Sequence, residues 1–132
     1  MTGDVEVVAG IAWREDRFLA IRRPEGKPLA GYWEFPGGKV EPGESHDMAL
    51  VREFEEELAV TPRQFEFWRR VRHVYDHASV RLSFFTISTL EGEPSPREGH
   101  ALAWLTPQEA AERPFLEADT EIVRLLEKQE CT

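Results

Sequence analysis

Glu53, Glu56 and Glu57 stand at i, i+3 and i+4 in the segment from Ser45 to Leu58, which contains neither glycine nor proline. Helical spacing gathers their carboxylates into an arc of about 100°, opposite an apolar stripe of Leu50, Val51, Phe54 and Leu58. Like charges so placed repel by roughly 0.2–0.5 kcal/mol per pair, so the cluster weakens its own helix unless cations sit among the oxygens. A hard divalent ion such as Mg²⁺ or Mn²⁺ meets that need, because it prefers carboxylate and water oxygens and commonly shares its shell with substrate phosphates. A solvated acidic face is the other reading for a chain this rich in acid. Arg52, four residues before Glu56, predicts an ion pair that orients that carboxylate; a solubilising role is its alternative.

The elements that must position this helix are readable from pattern. Val5 to Trp13 and Arg17 to Arg22 are rich in β-branched and apolar residues around the polar turn Arg14-Glu15-Asp16, which predicts a hairpin. Pro24 to Gly43, dense in proline and glycine, predicts a working loop, and Ser45 is a natural N-cap for the carboxylate helix. Phe65 to Tyr75, Val80 to Thr89 and Ala101 to Leu105 read as three more strands. Thr106-Pro107-Gln108-Glu109 is a capping box for a short helix to about Arg113. A last helix begins near Asp119 and turns Ile122, Val123, Leu125 and Leu126 inward. The order implies an α/β (α+β) fold, a mixed sheet packed between helices, in one domain over 1–132.

Composition narrows the function classes. The 132 residues suit one domain able to bury a core unaided. A net charge of −9 repels phosphate polymers and anionic membranes, so neither a nucleic acid polymer nor a membrane is an expected partner. The one cysteine, Cys131, has no partner or metal-ligand spacing, and the start of the chain has no basic n-region or apolar h-region. A cytoplasmic protein, monomer or homodimer, is expected. His46, His73, His77 and His100 show no zinc-like spacing and read as surface or turn residues.

The acidic helix sits in a longer pattern: Gly38-Lys-Val-Glu-Pro-Gly-Glu44, then after seven residues Arg52-Glu-Phe-Glu-Glu-Glu-Leu-Ala-Val60. This resembles the Nudix box, G-x5-E-x7-R-E-U-x-E-E-x-G-U, with Gly38, Glu44, Arg52, Glu53, Glu56 and Glu57 all at matching positions. Ala59 departs from it, standing where the family usually ends the helix on glycine; alanine there costs about 1 kcal/mol if a positive φ is kept. The resemblance implies an α/β/α sandwich and Mg²⁺-dependent hydrolysis, with Mn²⁺ able to substitute, of a nucleoside diphosphate linked to another group. Glu44, Arg52, Glu53 and Glu56 would be the catalytic set, and Glu53, Glu56 and Glu57 metal ligands.

From about Val5 to Leu126 the chain resembles the MutT-type branch, which cleaves nucleoside triphosphates to monophosphate and pyrophosphate. By that resemblance Gly37 supplies a metal-binding carbonyl and Glu98 a further metal ligand, while Arg23, Phe35, Lys39 and Asp119 contact substrate. Tyr75 matches an aromatic position near the nucleotide, although an aromatic at a strand end is as often core. Members acting on oxidised guanine triphosphates typically carry asparagine where Asp119 stands. An ionised aspartate accepts only, and Asp119 is equally a good N-cap for the last helix. The expected function is therefore 8-oxo-dGTP diphosphatase, with a CTP or 5-methyl-dCTP pyrophosphohydrolase, or a non-catalytic nucleotide-binding module, as alternatives.

Overall fold

The computed structural model describes residues 4–76, 78–97 and 100–130. β1 (Val5–Arg14) and β2 (Arg17–Arg22) pair antiparallel as the expected hairpin, with Glu15 at the turn in the left-handed region, φ 57°. The stretch expected to be a loop over 24–43 holds two short strands, β3 (Trp33–Glu34) and β4 (Gly37–Lys39). Segments of two and three residues carry no periodicity of their own; they are strands because they pair, β3 on β2 and β4 on β1.

The carboxylate helix, α1 (His46–Leu58), is capped as expected: the Ser45 hydroxyl accepts from the Met48 N–H at 3.1 Å. β5 (Thr61–Val74) starts four residues before the expected Phe65, at a sheet edge where Pro62 is tolerated and bulges interrupt the register. β6 (Ser79–Glu91) and β7 (Ala101–Leu105) follow. The Thr106 capping box opens α2 (Pro107–Ala111), shorter than the predicted run to Arg113. α3 (Glu117–Glu130) begins two residues before Asp119, which therefore lies inside the first turn and is not its N-cap.

The seven strands form a mixed sheet with β3-β2-β1-β6-β5 in order, β4 on β1 and β7 on β2; β1 and β6 run parallel and the other pairs antiparallel. Alternation along the strands sends side chains to two cores. On one face Val8, Ala12, Leu19, Ile21, Phe85 and Ile87 meet Leu50, Phe54 and Leu58 of α1. On the other Ala9, Ile11, Phe18, Ala20 and Phe84 meet Ala110 of α2 and Ala118, Ile122, Val123 and Leu126 of α3. The result is an α/β/α sandwich. Gly10 permits the α1 layer: a Cβ there would stand 2.7 Å from the Phe54 ring and 2.6 Å from Ile87. No helix among the described residues is long and apolar enough to cross a membrane.

α1 ends on Ala59 at φ 60°, ψ 32°, its N–H donating to the Glu55 carbonyl at 3.1 Å. The left-handed cap usually given to glycine is thus kept with a Cβ in place, at a cost of about 1 kcal/mol. Ala59→Gly relieves that strain and gives back part of it through the more flexible unfolded chain, so it should raise stability by roughly 0.5 kcal/mol. A higher urea midpoint with an unchanged m-value is the expected result; a lower midpoint contradicts the strain argument.

Candidate active site

Arg52 is the centre of the carboxylate helix. Its Nε and Nη2 grip Glu44 at 2.6 and 3.0 Å, its Nη1 reaches Glu53 at 3.0 Å and Glu56 at 3.2 Å, and its Nη2 also donates to the Lys39 carbonyl at 3.0 Å. The expected i,i+4 pair with Glu56 is therefore one arm of a larger junction tying α1 to β4 and to the loop before the helix. Hydrogen bonds from Arg52, and then the Glu41 N–H, hold the Glu44 carboxyl down at about 2. Burial pushes the Glu53 carboxyl up, against the Arg52 hydrogen bond that favours its charge.

The three glutamates do not share one exposed face in equal measure. Glu56 is 60% exposed, whereas only 16% of the Glu53 side chain is open. The difference comes from the glycine pair in β4. A Cβ on Gly38 would stand 2.3 Å from the Glu53 carboxylate, and the Gly37 N–H donates to Glu57 Oε1 at 3.2 Å. Bare backbone thus approaches two carboxylates closely enough to share a ligand with them. As they stand, no three acids among the described residues converge on a single point, since the Arg52 guanidinium lies between Glu53 and Glu56. The donor set, carboxylate oxygens beside a side-chain-free backbone, fits a hard divalent cation. Glu98 lies outside the described residues, as do His77 and Cys131.

A cleft of about 420 Å³ opens from this backbone, within the range usual for small-molecule sites. Glu57 and Gly37 to Lys39 line one part of it; Arg23, Glu34, Phe35, Tyr75, His100 and Asp119 line the rest. Phe35 is 3% exposed, its ring packed against Phe18, Phe84 and Phe115, and its N–H donates to Asp119 Oδ2 at 3.3 Å. Burial pushes the Asp119 carboxyl up to about 7, against that N–H; neighbouring Glu34 raises it further and Arg23 lowers it. Glu34 is itself raised by burial, opposed by Arg23. Arg23 Nη2 donates to Glu34 Oε1 at 3.3 Å; its buried Nε lies 3.1 Å from Oε2 without an aligned hydrogen bond.

The structure thus brings Arg23, Phe35, Gly37, Lys39, Glu57 and Asp119 to one cleft, with Glu53 reaching it through Gly38 and with Arg52, Glu44 and Glu56 behind. The contact shown for Lys39 is through its carbonyl, to Arg52. Glu34 is the residue that sequence reasoning missed. Its signal was a lone acid inside the apolar run Trp33-Glu34-Phe35, but only the β2–β3 pairing shows that it meets Arg23. Three histidines are more than surface or turn residues: His46 pairs with Glu6 at 3.2 Å, His73 with Glu117 at 3.3 Å, and His100 lines the cleft. Tyr75 lies on the cleft wall, 38% exposed, and not in the core.

Residues 7–125 match the model of the NUDIX domain. A protein of Escherichia coli named CTP pyrophosphohydrolase is 37% identical over 115 residues, covering 87% of this chain and 85% of its own. Another from the same organism, named 8-oxo-dGTP diphosphatase, is 33% identical over 103 residues, covering 77% and 80%. Among solved structures, the E. coli ORF135 protein superposes with a TM-score of 0.85 at 34% identity, covering 96% of this chain and 90% of that one. MutT described from Aliivibrio salmonicida and Vibrio cholerae gives 0.81 at 33% identity, covering 96% and 99%. Hydrolases of this family generally use a divalent metal. A domain match over most of the chain, relatives above 30% identity and a shared sandwich together mean that the chain belongs to the Nudix family, as a MutT-type hydrolase of phosphoric anhydrides.

Proposed function

We propose that the chain hydrolyses nucleoside triphosphates to monophosphate and pyrophosphate, with 8-oxo-dGTP as leading substrate and CTP or 5-methyl-dCTP as the second reading. The observation that carries this is the cleft itself, which joins the carboxylate helix to a buried Asp119 whose carboxyl is pushed up to about 7. At neutral pH a carboxyl poised at about 7 is about half protonated, and in its protonated form it both donates and accepts, as the amide of asparagine does. In that form it does not repel an acceptor such as guanine O6, as an ionised aspartate would. Its ionised form suits the amino group of cytosine, which favours the second reading, and relatives carrying each name are known.

Glu53, Glu56 and Glu57, with the Gly37 carbonyl, would hold Mg²⁺ or Mn²⁺, which supplies neutralisation of the polyphosphate charge and of the charge that develops on transfer. Glu53, half-buried with a raised carboxyl, is the candidate to take the proton of the attacking water. The water oxygen bonds to the β-phosphorus and the bridging oxygen leaves with the monophosphate. Arg52 holds Glu53 and Glu56 in orientation, and Glu44 anchors Arg52. Arg23 and Lys39, on the cleft wall, offer positive charge to the nucleotide, and Phe35 forms the apolar floor under the base.

Glu53→Gln should lower kcat about 100-fold or more with KM little changed; a mild loss moves the general base to another carboxylate. For Asp119, KM for 8-oxo-dGTP should rise roughly threefold to tenfold between pH 6 and pH 8 as the acid loses its proton, while that for CTP does not. Asp119→Asn should flatten the profile, and unchanged relative kcat/KM would sink the base-reading role. The same variant tests the linkage. A carboxyl whose folded pKa is raised to about 7 from 3.8 costs stability as pH climbs through that interval, so the wild type should lose melting temperature from pH 5 to pH 8 relative to Asp119→Asn.

A further inference from the structure

One contact on the open side of the cleft has no part in the chemistry above. His73 Nε2 lies 3.3 Å from Glu117 Oε1, joining β5 to the first turn of α3. The His73 ring meets that of Tyr75 edge-on, centroids 4.5 Å apart at 67°. His73 pairs with Val80, which lines the cleft, so cross-strand geometry puts both side chains on the cleft face of the sheet. Tyr75 lines the same wall with Leu116, Ala118 and Asp119, and Glu117 sits between the first two.

The backbone of Tyr75 is fixed by the β5–β6 turn, its N–H donating to the Ala78 carbonyl at 2.7 Å. That bond leaves the ring, 38% exposed, to choose its own rotamer. Edge-on packing against a neighbouring ring selects one, and an imidazole held at its far nitrogen presents a constant edge. Glu117 is 82% exposed, so its contact orients His73 and adds little stability.

We propose that His73 is a positioning residue for substrate binding: tethered to Glu117, it holds the Tyr75 ring as a wall of the base compartment, so that affinity for the base depends on it while phosphate chemistry does not. This rests on the nucleotide reading of the cleft. The test combines kinetics on 8-oxo-dGTP and CTP with ring ¹H–¹³C NMR of Tyr75, easily assigned because the chain has two tyrosines. His73→Ala should raise KM about threefold to tenfold with kcat within about twofold, and should turn Tyr75 from one χ1 rotamer to several. His73→Phe should recover most of the loss. Combined with Tyr75→Leu, His73→Ala should add nothing, because it acts through that ring. Glu117→Ala, at an exposed site that cannot threaten folding, should raise KM in the same direction by less. Additive effects in the double variant, an equal fall in kcat, or a Tyr75 ring still held in His73→Ala overturns the proposal. Wild-type protein inert towards every nucleotide would overturn the substrate reading instead, with the NMR arm still deciding whether His73 positions Tyr75.

Discussion

The molecule is organised around one guanidinium among acids. A helix carrying Glu53, Glu56 and Glu57 on neighbouring turns is electrostatically self-defeating, and Arg52 is what makes it tenable, offering its donors to Glu44, Glu53, Glu56 and the Lys39 carbonyl. Its fork satisfies Glu44 bidentately, which a lysine could not do. Since Lys39 belongs to β4 and Glu44 to the loop before the helix, the same side chain fastens helix to sheet. The helix carboxylates are thereby poised but not discharged: Glu53 is pressed against Gly38, raised by burial and held at one oxygen.

The second constraint is an acid kept out of water. Asp119 is 5% exposed, beside Glu34 and the ion pair that Glu34 makes with Arg23. Burial of a carboxyl without a full counter-charge is expensive, and the fold tolerates it because the Phe35 N–H and the option of protonation share the load. Such a group is costly as architecture and suits the recognition role proposed for it. Its hydrogen-bonding character changes with one proton, whereas an amide in the same place would be fixed.

Much of this was legible in the chain, for different reasons at different places. The hairpin, α1 with its Ser45 cap, and the Thr106 capping box follow from local pattern, because alternation, periodicity and capping act within a few residues. The carboxylates and Arg52 were legible from spacing, since helical geometry converts spacing into proximity. The strands β3 and β4 were not, being too short to carry a period and existing through partners distant in sequence. Asp119 looked like a cap because aspartate near a helix start usually is one; the turn that precedes it, from the Leu116 carbonyl to the Asp119 N–H, is visible only in three dimensions. Glu34 was hidden for a related reason, its importance lying in Arg23 across a strand pair.

The stretch from Trp33 to Lys39 bonds Asp119 through the amide of Phe35 and Glu57 through the amide of Gly37. Those two amides, two residues apart along the chain, set a fixed covalent span between an acid of α3 and an acid of α1. With Asp119 at the base and Glu57 at the metal, as proposed, recognition and cleavage are gauged from one short segment, and neither end can be moved alone. Inserting a single residue between them would lengthen that span by up to about 3.5 Å, so the segment could no longer bond both acids where they stand.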